Sequence, residues 1–158
     1  MNPDDISKEI SSFIEDFGII FEKWGLPRMA GRVLAWLLIC DPPHQDAAQL
    51  AEAVGASKGS ISTTVRLLEQ YQFIERVGIP GERSTFYRVK PDGCVKLLKA
   101  KIGAITAIRE LVERGLELLL SNNEQARSRL NEMKDFYSFF EMALPIIIEQ
   151  YEKEREGK

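Results

Sequence analysis

Apolar residues recur at helical spacing from the start of the chain. Ile6, Ile10, Phe13, Phe17, Phe21 and Trp24 stand four, three, four, four and three positions apart, and Ile14 and Ile20 widen the stripe. That spacing predicts an amphipathic helix over residues 3–24. Gly25-Leu26-Pro27 ends it, because glycine closes a helix well and proline suits the first turn of the next. A second helix is expected over residues 28–40, where Val33, Leu34, Trp36, Leu37, Leu38 and Ile39 make the second half apolar nearly all round. Such a helix is the central post of a core. Asp41-Pro42-Pro43-His44 reads as a rigid turn, with His44 a solvated turn residue.

The stretch from Gln49 to Gln70 organises the rest. A short helix over residues 46–54 is expected to bury Ala48, Leu50, Ala51 and Val54, with Ala51 the small residue where two helices cross. Gly55 allows the left-handed backbone of a sharp turn, and Ser57 is placed to cap the next helix. On that helix, Val65 and Leu68 lie about 40° and about 20° either side of Ile61, so these three face the core. Gly59, Ser62, Thr63 and Arg66 take the opposite face. Small residues permit close approach, hydroxyls bond to phosphates or base edges, and arginine can hold guanine by two hydrogen bonds. The helix N-terminus favours a phosphate. A helix used only for packing would more often carry Glu and Lys outward than glycine, serine and threonine, which are poor helix formers. The pattern is that of a helix-turn-helix whose second helix reads a DNA groove.

After Gln70 the periodicity changes. Phe73–Val77 and Thr85–Val89 are rich in β-branched and aromatic residues and read as two strands, with Pro80-Gly81 marking the turn between them. A hairpin directly after a helix-turn-helix makes a winged helix. Arg83, near its tip, is in reach of a minor groove or a phosphate. Pro91-Asp92-Gly93 ends the wing and opens a long helix carrying Val95, Leu98, Ile102, Ile105, Val112, Leu116 and Leu119, with a break at Ser121-Asn122-Asn123. The last helix repeats Ala126, Leu130, Met133, Tyr137, Phe140, Leu144, Ile147 and Tyr151 in alternating steps of four and three, a heptad seam. Pro145 inside it predicts a kink or break, and the charged tail from Glu152 to Lys158 predicts fraying. The sum is a mainly α fold with a small β-hairpin wing: a winged helix-turn-helix lobe plus long helices forming a dimerisation lobe.

Charge refines this picture. The net charge of −3 over 158 residues gives no support for nucleic-acid binding. Its distribution does. Residues 57–90 hold six bases (Lys58, Arg66, Arg76, Arg83, Arg88, Lys90) against three acids, whereas residues 1–56 hold four bases against nine acids. Cys40, Cys94 and the single His44 are too few for a zinc site, and the thiols read as buried. The acidic start lacks the features of a signal peptide, and the longest apolar run, Val33 to Cys40, is far short of the roughly 20 residues of a membrane span. A cytoplasmic protein is expected. With no nucleophile–base pair and no phosphate-cradling glycine loop, neither an enzyme nor a cofactor is expected.

These residues resemble the MarR family of winged-helix regulators, and within it look most like the GbsR-type branch. The resemblance covers most of the chain and is strongest from Phe21 to Val89. It rests on Trp24-Gly25-Leu26-Pro27-Arg28-Met29-Ala30-Gly31-Arg32, on Leu50-Ala51 and Gly55-x-Ser57, on Ser60-x-x-Thr63-x-x-Arg66-x-Leu68, and on Gly81-x-Arg83 of the wing. It implies a homodimer whose first and last helices interleave and, as in many members, release of DNA when a small molecule binds between the lobes. Some GbsR-type relatives sense choline or betaine.

Dimerisation also follows from the stripes themselves. A monomer would have to cover three amphipathic helices outside the winged lobe, including Phe13, Phe17, Phe21, Tyr137, Phe139 and Phe140, and twofold self-association is the simplest solution. The segments expected are a dimerisation helix at 1–25, a winged helix-turn-helix at 26–91 and a C-terminal dimerisation region at 92–158. Two reading helices would then meet successive major grooves, about 34 Å apart, on a pseudo-palindromic operator in double-stranded DNA. The expected function is a sequence-specific transcriptional regulator, a repressor, since occupancy alone blocks a promoter. Ser57, Lys58, Gly59, Ser60, Ser62, Thr63, Arg66, Arg83 and Ser84 are the candidate DNA contacts. Phe21, Trp24, Trp36 and Tyr137 are candidate walls of an effector pocket, since aromatic faces suit a quaternary ammonium or aromatic ligand. The same side chains also suit plain core. The alternative function is a winged helix serving as a protein-interaction module, which the acidic total charge favours. Salt dependence of binding to random duplex separates the two.

Overall fold

The computed structural model describes residues 3–119 and 123–157. The side chain of Ile6 and the break expected at Ser121-Asn122 lie outside the described residues. The elements run α1 (Pro3–Lys23), α2 (Arg28–Ile39), β1 (Gln45–Asp46), α3 (Ala47–Ala53), α4 (Lys58–Gln70), β2 (Ile74–Val77), β3 (Phe86–Val89), α5 (Gly93–Leu118) and α6 (Glu124–Glu156). They divide into two compact units, Met1–Cys94 and Val95–Lys158. No helix among the described residues is long and apolar enough to cross a membrane.

In the first unit α1 packs along α2. The face of α1 that is buried is Ile14, Gly18 and Phe21, whereas Phe13 and Phe17 are only half-buried and Trp24 is 68% exposed. The stripe is therefore rotated from the aromatic line that the spacing suggests. Glycine is the cause. A Cβ on Gly31 of α2 would stand 2.7 Å from the carbonyl carbon of Phe17 and 2.9 Å from the Cα of Gly18. The two backbones meet where neither helix has a side chain, and that crossing sets which face turns inward. On α2, Ala30, Gly31, Val33, Leu34, Ala35 and Leu37 are buried, but Leu38 and Ile39 are exposed, so the post is not covered all round.

Leu50, Val54, Ile61, Leu68 and Ile74 are almost wholly buried, together with Val33, and make the core beneath the helix-turn-helix. Ala48, expected in that core, is exposed, and Ala51 is half-buried. The sheet has three strands in the order β1-β3-β2, where only a hairpin is expected. β1 pairs Gln45 with Tyr87 and Asp46 with Phe86, antiparallel. Two residues carry no periodic signal. His44 is correspondingly not a solvated turn residue, since its ring meets Phe86 edge-on at 5.3 Å.

In the second unit α5 and α6 are linked by polar contacts. Lys99 Nζ reaches Glu152 at 2.6 Å, and the Thr106 hydroxyl donates to Glu141 at 2.6 Å. The Arg109 guanidinium donates to Glu141 at 2.5 Å and to Glu113 at 2.7 Å. Asn123 caps α6 by accepting the Ala126 N–H. Of the kink or break expected at Pro145, the break does not occur, because one lost backbone bond does not interrupt a helix of 33 residues, and the expected frayed tail is helical to Glu156. Among the described residues of this unit only Val112 and Ile148 are buried apolar side chains.

Gly31→Ala should lower stability by about 1–3 kcal/mol in denaturant unfolding, because the new methyl meets backbone that cannot move aside. Gly103→Ala, with nothing near its Cβ, is the control and should be neutral or stabilising. An unchanged midpoint for Gly31→Ala would contradict the close crossing. The hydrogen bonds from Thr106 and Arg109 hold the Glu141 carboxyl below the usual carboxylate range. A depressed folded pKa makes its contribution complete above the unfolded value of about 4.3 and lost as pH falls through the folded value. The stability advantage of wild type over Glu141→Gln should thus be constant between about pH 6 and 8 and shrink below about 4.3. A difference independent of pH would refute the clamp.

Candidate nucleic-acid interface

The helix-turn-helix is fastened at the start of each helix and through the turn between them. Asp46 opens α3 with a capping box: its carboxylate accepts the N–H groups of Ala48 and Gln49 at 2.8 and 2.9 Å, and Gln49 Oε1 accepts the Asp46 N–H at 2.8 Å. Gly55, at φ +61°, reverses the chain, and the Ala56 N–H donates to the Ala51 carbonyl at 2.8 Å. Ser57 is extended, and its Oγ accepts the Ser60 N–H at 3.2 Å, so α4 starts at Lys58.

The two faces of α4 separate as the spacing predicts. Ile61, Val65 and Leu68 are buried, and Thr64 joins them. Lys58, Gly59, Ser62, Thr63 and Arg66 are exposed. Ser60 is only half-buried, and the Ser57 hydroxyl is engaged as a cap. The Thr63 hydroxyl donates to the Gly59 carbonyl at 3.2 Å, which leaves its oxygen free to accept.

The wing is a hairpin in the register Ile74↔Val89 to Val77↔Phe86. Its loop contains the turn Ile79-Pro80-Gly81-Glu82, in which the Glu82 N–H donates to the Ile79 carbonyl at 3.0 Å and Gly81 takes φ +89°. Arg83 and Ser84 follow the turn directly and are exposed. Lys58 and Ser84, far apart in sequence, line one shallow groove of about 280 Å³ with Thr85, Tyr87 and the start of α3. Thr85 and Tyr87 are additions that the spacing did not suggest.

Pairing sorts the basic island. Arg76 donates two hydrogen bonds to Glu69 at 2.7 and 2.9 Å, Arg88 pairs with Glu75 at 2.7 Å, and the Lys90 ammonium hydrogen-bonds to Gln72. Among the described residues Lys58, Arg66 and Arg83 have no ion-pair partner. Lys58 and Arg66 stand on the outward side of α4, and Arg83 stands in the wing loop.

The effector candidates fall in both units, Phe21, Trp24 and Trp36 in the first and Tyr137 in the second. Phe21 is buried, its ring 5.7 Å from Phe73 and 5.8 Å from Trp24. Trp36 is half-buried, and its Nε1 faces Gln45 Oε1 at 3.5 Å. Tyr137 belongs to the second unit, where it lines an apolar cavity of about 160 Å³ with Ile105, Phe136 and Phe140. Among the described residues no cluster of three His, Cys, Asp or Glu is placed to hold a metal.

Known proteins share this architecture. A family described as MmpR5-like MarR family transcriptional regulator matches residues 92–154. The HTH-type transcriptional regulator MmpR5 of Mycobacterium tuberculosis (strain ATCC 25618 / H37Rv) is 38% identical over 143 residues, spanning 90% of this chain and 87% of its own. The chain belongs to the MmpR5-like MarR family of transcriptional regulators. A crystal structure of a transcriptional regulator is 37% identical, has a TM-score of 0.78, and covers 92% of this chain and 99% of its own. The MarR assignment agrees with the resemblance carried by the helix-turn-helix and wing. The group matched is the MmpR5-like one.

In this MarR-family regulator Arg66→Ala should weaken binding to a preferred duplex by about 1–3 kcal/mol and relax its base preference. Arg83→Ala should reduce the slope of log affinity against log salt by about one. Arg76→Ala, whose guanidinium is already tied to Glu69, should stay near wild type. Fluorescence anisotropy titrations check all three. No loss from either Arg66→Ala or Arg83→Ala would remove the assignment of this face.

Proposed function

We propose that the regulator acts as a homodimer, binds a pseudo-palindromic duplex site and represses transcription by occupying it. The observation that carries the DNA reading is the set of exposed, unpaired cations Lys58, Arg66 and Arg83 around the small outward residues Gly59, Ser62 and Thr63. Each has a distinct role. Gly59 lets the DNA backbone approach closely, and Ser57 and Ser60 shape the α4 N-terminus that faces a phosphate. Ser62 and Thr63 contact base edges or phosphates, and Arg66 reads guanine. Arg83 and Ser84 hold the flanking backbone or minor groove.

Exposed apolar side chains support the dimer. On α6, Phe139, Met142 and Ile146 are 61%, 66% and 65% exposed, and Leu111 and Leu118 on α5 are exposed as well. Surface of this kind calls for a partner, and a second copy supplies one. In this scheme residues 1–25 and 92–158 serve dimerisation, and 26–91 serve DNA. Aromatic side chains at Phe21, Trp24, Trp36 and Tyr137 support control by a quaternary ammonium or aromatic effector. Closer kinship to the GbsR-type branch, resting on the Trp24–Arg32 segment, points the same way. The cytoplasm is where such a regulator meets its DNA.

Light scattering at micromolar concentration should give a dimer, and Phe139→Glu with Met142→Glu should give a monomer with weakened operator binding. Selection from random DNA should recover inverted repeats with half-sites about 34–36 Å apart. A wild-type monomer, or selected sequences with a single half-site, would defeat the dimeric reading.

A further inference from the structure

We propose that Arg32 is a positioning residue for DNA recognition, tying α1 and α2 to the turn that sets the angle of α4. The proposal rests on the reading of α4 as the groove-binding helix.

Arg32 is fixed at its stem and at one end of its guanidinium. Its Nη2 donates to the Val54 carbonyl at 2.9 Å, across 22 residues of sequence. Val54 is the C-cap of α3, Gly55 turns the chain directly after it, and Ser57, three residues on, caps α4. A carbonyl at the end of a helix has no partner within the helix, and a cation there is favoured. The stem of Arg32 lies over Gly18 of α1, where a Cβ would come within 3.0 Å of its Cγ. The glycine provides the room that the stem occupies.

The other end of the guanidinium is slack. Arg32 Nε stands 3.4 Å from Glu15 Oε2 and is buried without a hydrogen-bond partner. An arginine placed for the strength of its ion pair would close that gap. Glu15 does not depend on it, being held by the Arg28 guanidinium. The well-formed bond of Arg32 is the one to the turn.

A helix that reads bases needs a defined angle, since base contacts depend on geometry, whereas attraction to phosphates tolerates small rotations. With the end of α3 unpinned, α3 and α4 can rock on their core. Selective binding is therefore lost before general binding.

The test compares full-length wild type, Arg32→Gln, Arg32→Lys and Arg66→Ala on two duplexes of equal length. One is selected by the wild type from random DNA, and the other is random. Arg32→Gln should lose about tenfold or more on the selected duplex, the scale of a mismatched base pair. It should stay within about twofold on the random duplex. Amide exchange across residues 54–60 should rise relative to the α2 peptide, with little change in unfolding midpoint. Arg32→Lys, with one donor still in reach of Val54, should recover part of the loss. Arg32→Gln keeping its selected-duplex affinity would overturn the proposal. So would a uniform rise in exchange with equal loss on both duplexes, which marks a structural role only. If the wild type prefers no sequence, or Arg66→Ala keeps full preference, the reading of α4 itself has failed and the proposal falls with it.

Discussion

The first unit depends on α4 being buried on one side and bare on the other. Ile61, Val65 and Leu68 hold it to the core, and each such side chain contributes about 1.5–3 kcal/mol when fully buried. That anchoring lets the opposite face carry glycine, serine and threonine, which a helix relying on its own propensity would not tolerate. The turn before it, the Ser57 cap and the wing beside it all serve the same arrangement. The core fixes the helix, and the outward face stays free.

Electrostatics follows the same division. Glu69 and Glu75 neutralise Arg76 and Arg88 at the base of the wing, so these arginines are part of the scaffold. Exposed pairs of this kind add little stability, but they leave Lys58, Arg66 and Arg83 as the exposed bases of the island outside any ion pair among the described residues. A net charge of −3 is compatible with a DNA reader under these conditions, because a phosphate meets the local face and not the sum.

Much of this was legible in the sequence where one periodicity or one backbone requirement acts alone. The two faces of α4 follow from 100° steps, and Gly25, Gly55 and Gly81 all adopt positive φ at the turns where glycine is needed. The rest required knowing which groups meet. The aromatic line of α1 does not reveal the Gly18–Gly31 crossing, which decides which face is buried. β1 is two residues long and exists through its pairing with β3. The capping box of Asp46 and Gln49 is readable from its three-residue spacing. Pairing of Arg76 and Arg88 depends on strand register, which charge counting cannot supply.

The central claim is that α4 reads DNA with Arg66 at its outward face. Its most direct test is a structure of the protein on a duplex selected from random sequences. The N-terminal half of α4 should lie in the major groove, with the Arg66 guanidinium on a base edge and Arg83 against the backbone or minor groove beside it. A complex in which α4 lies clear of both grooves, with DNA held by another surface, would contradict it.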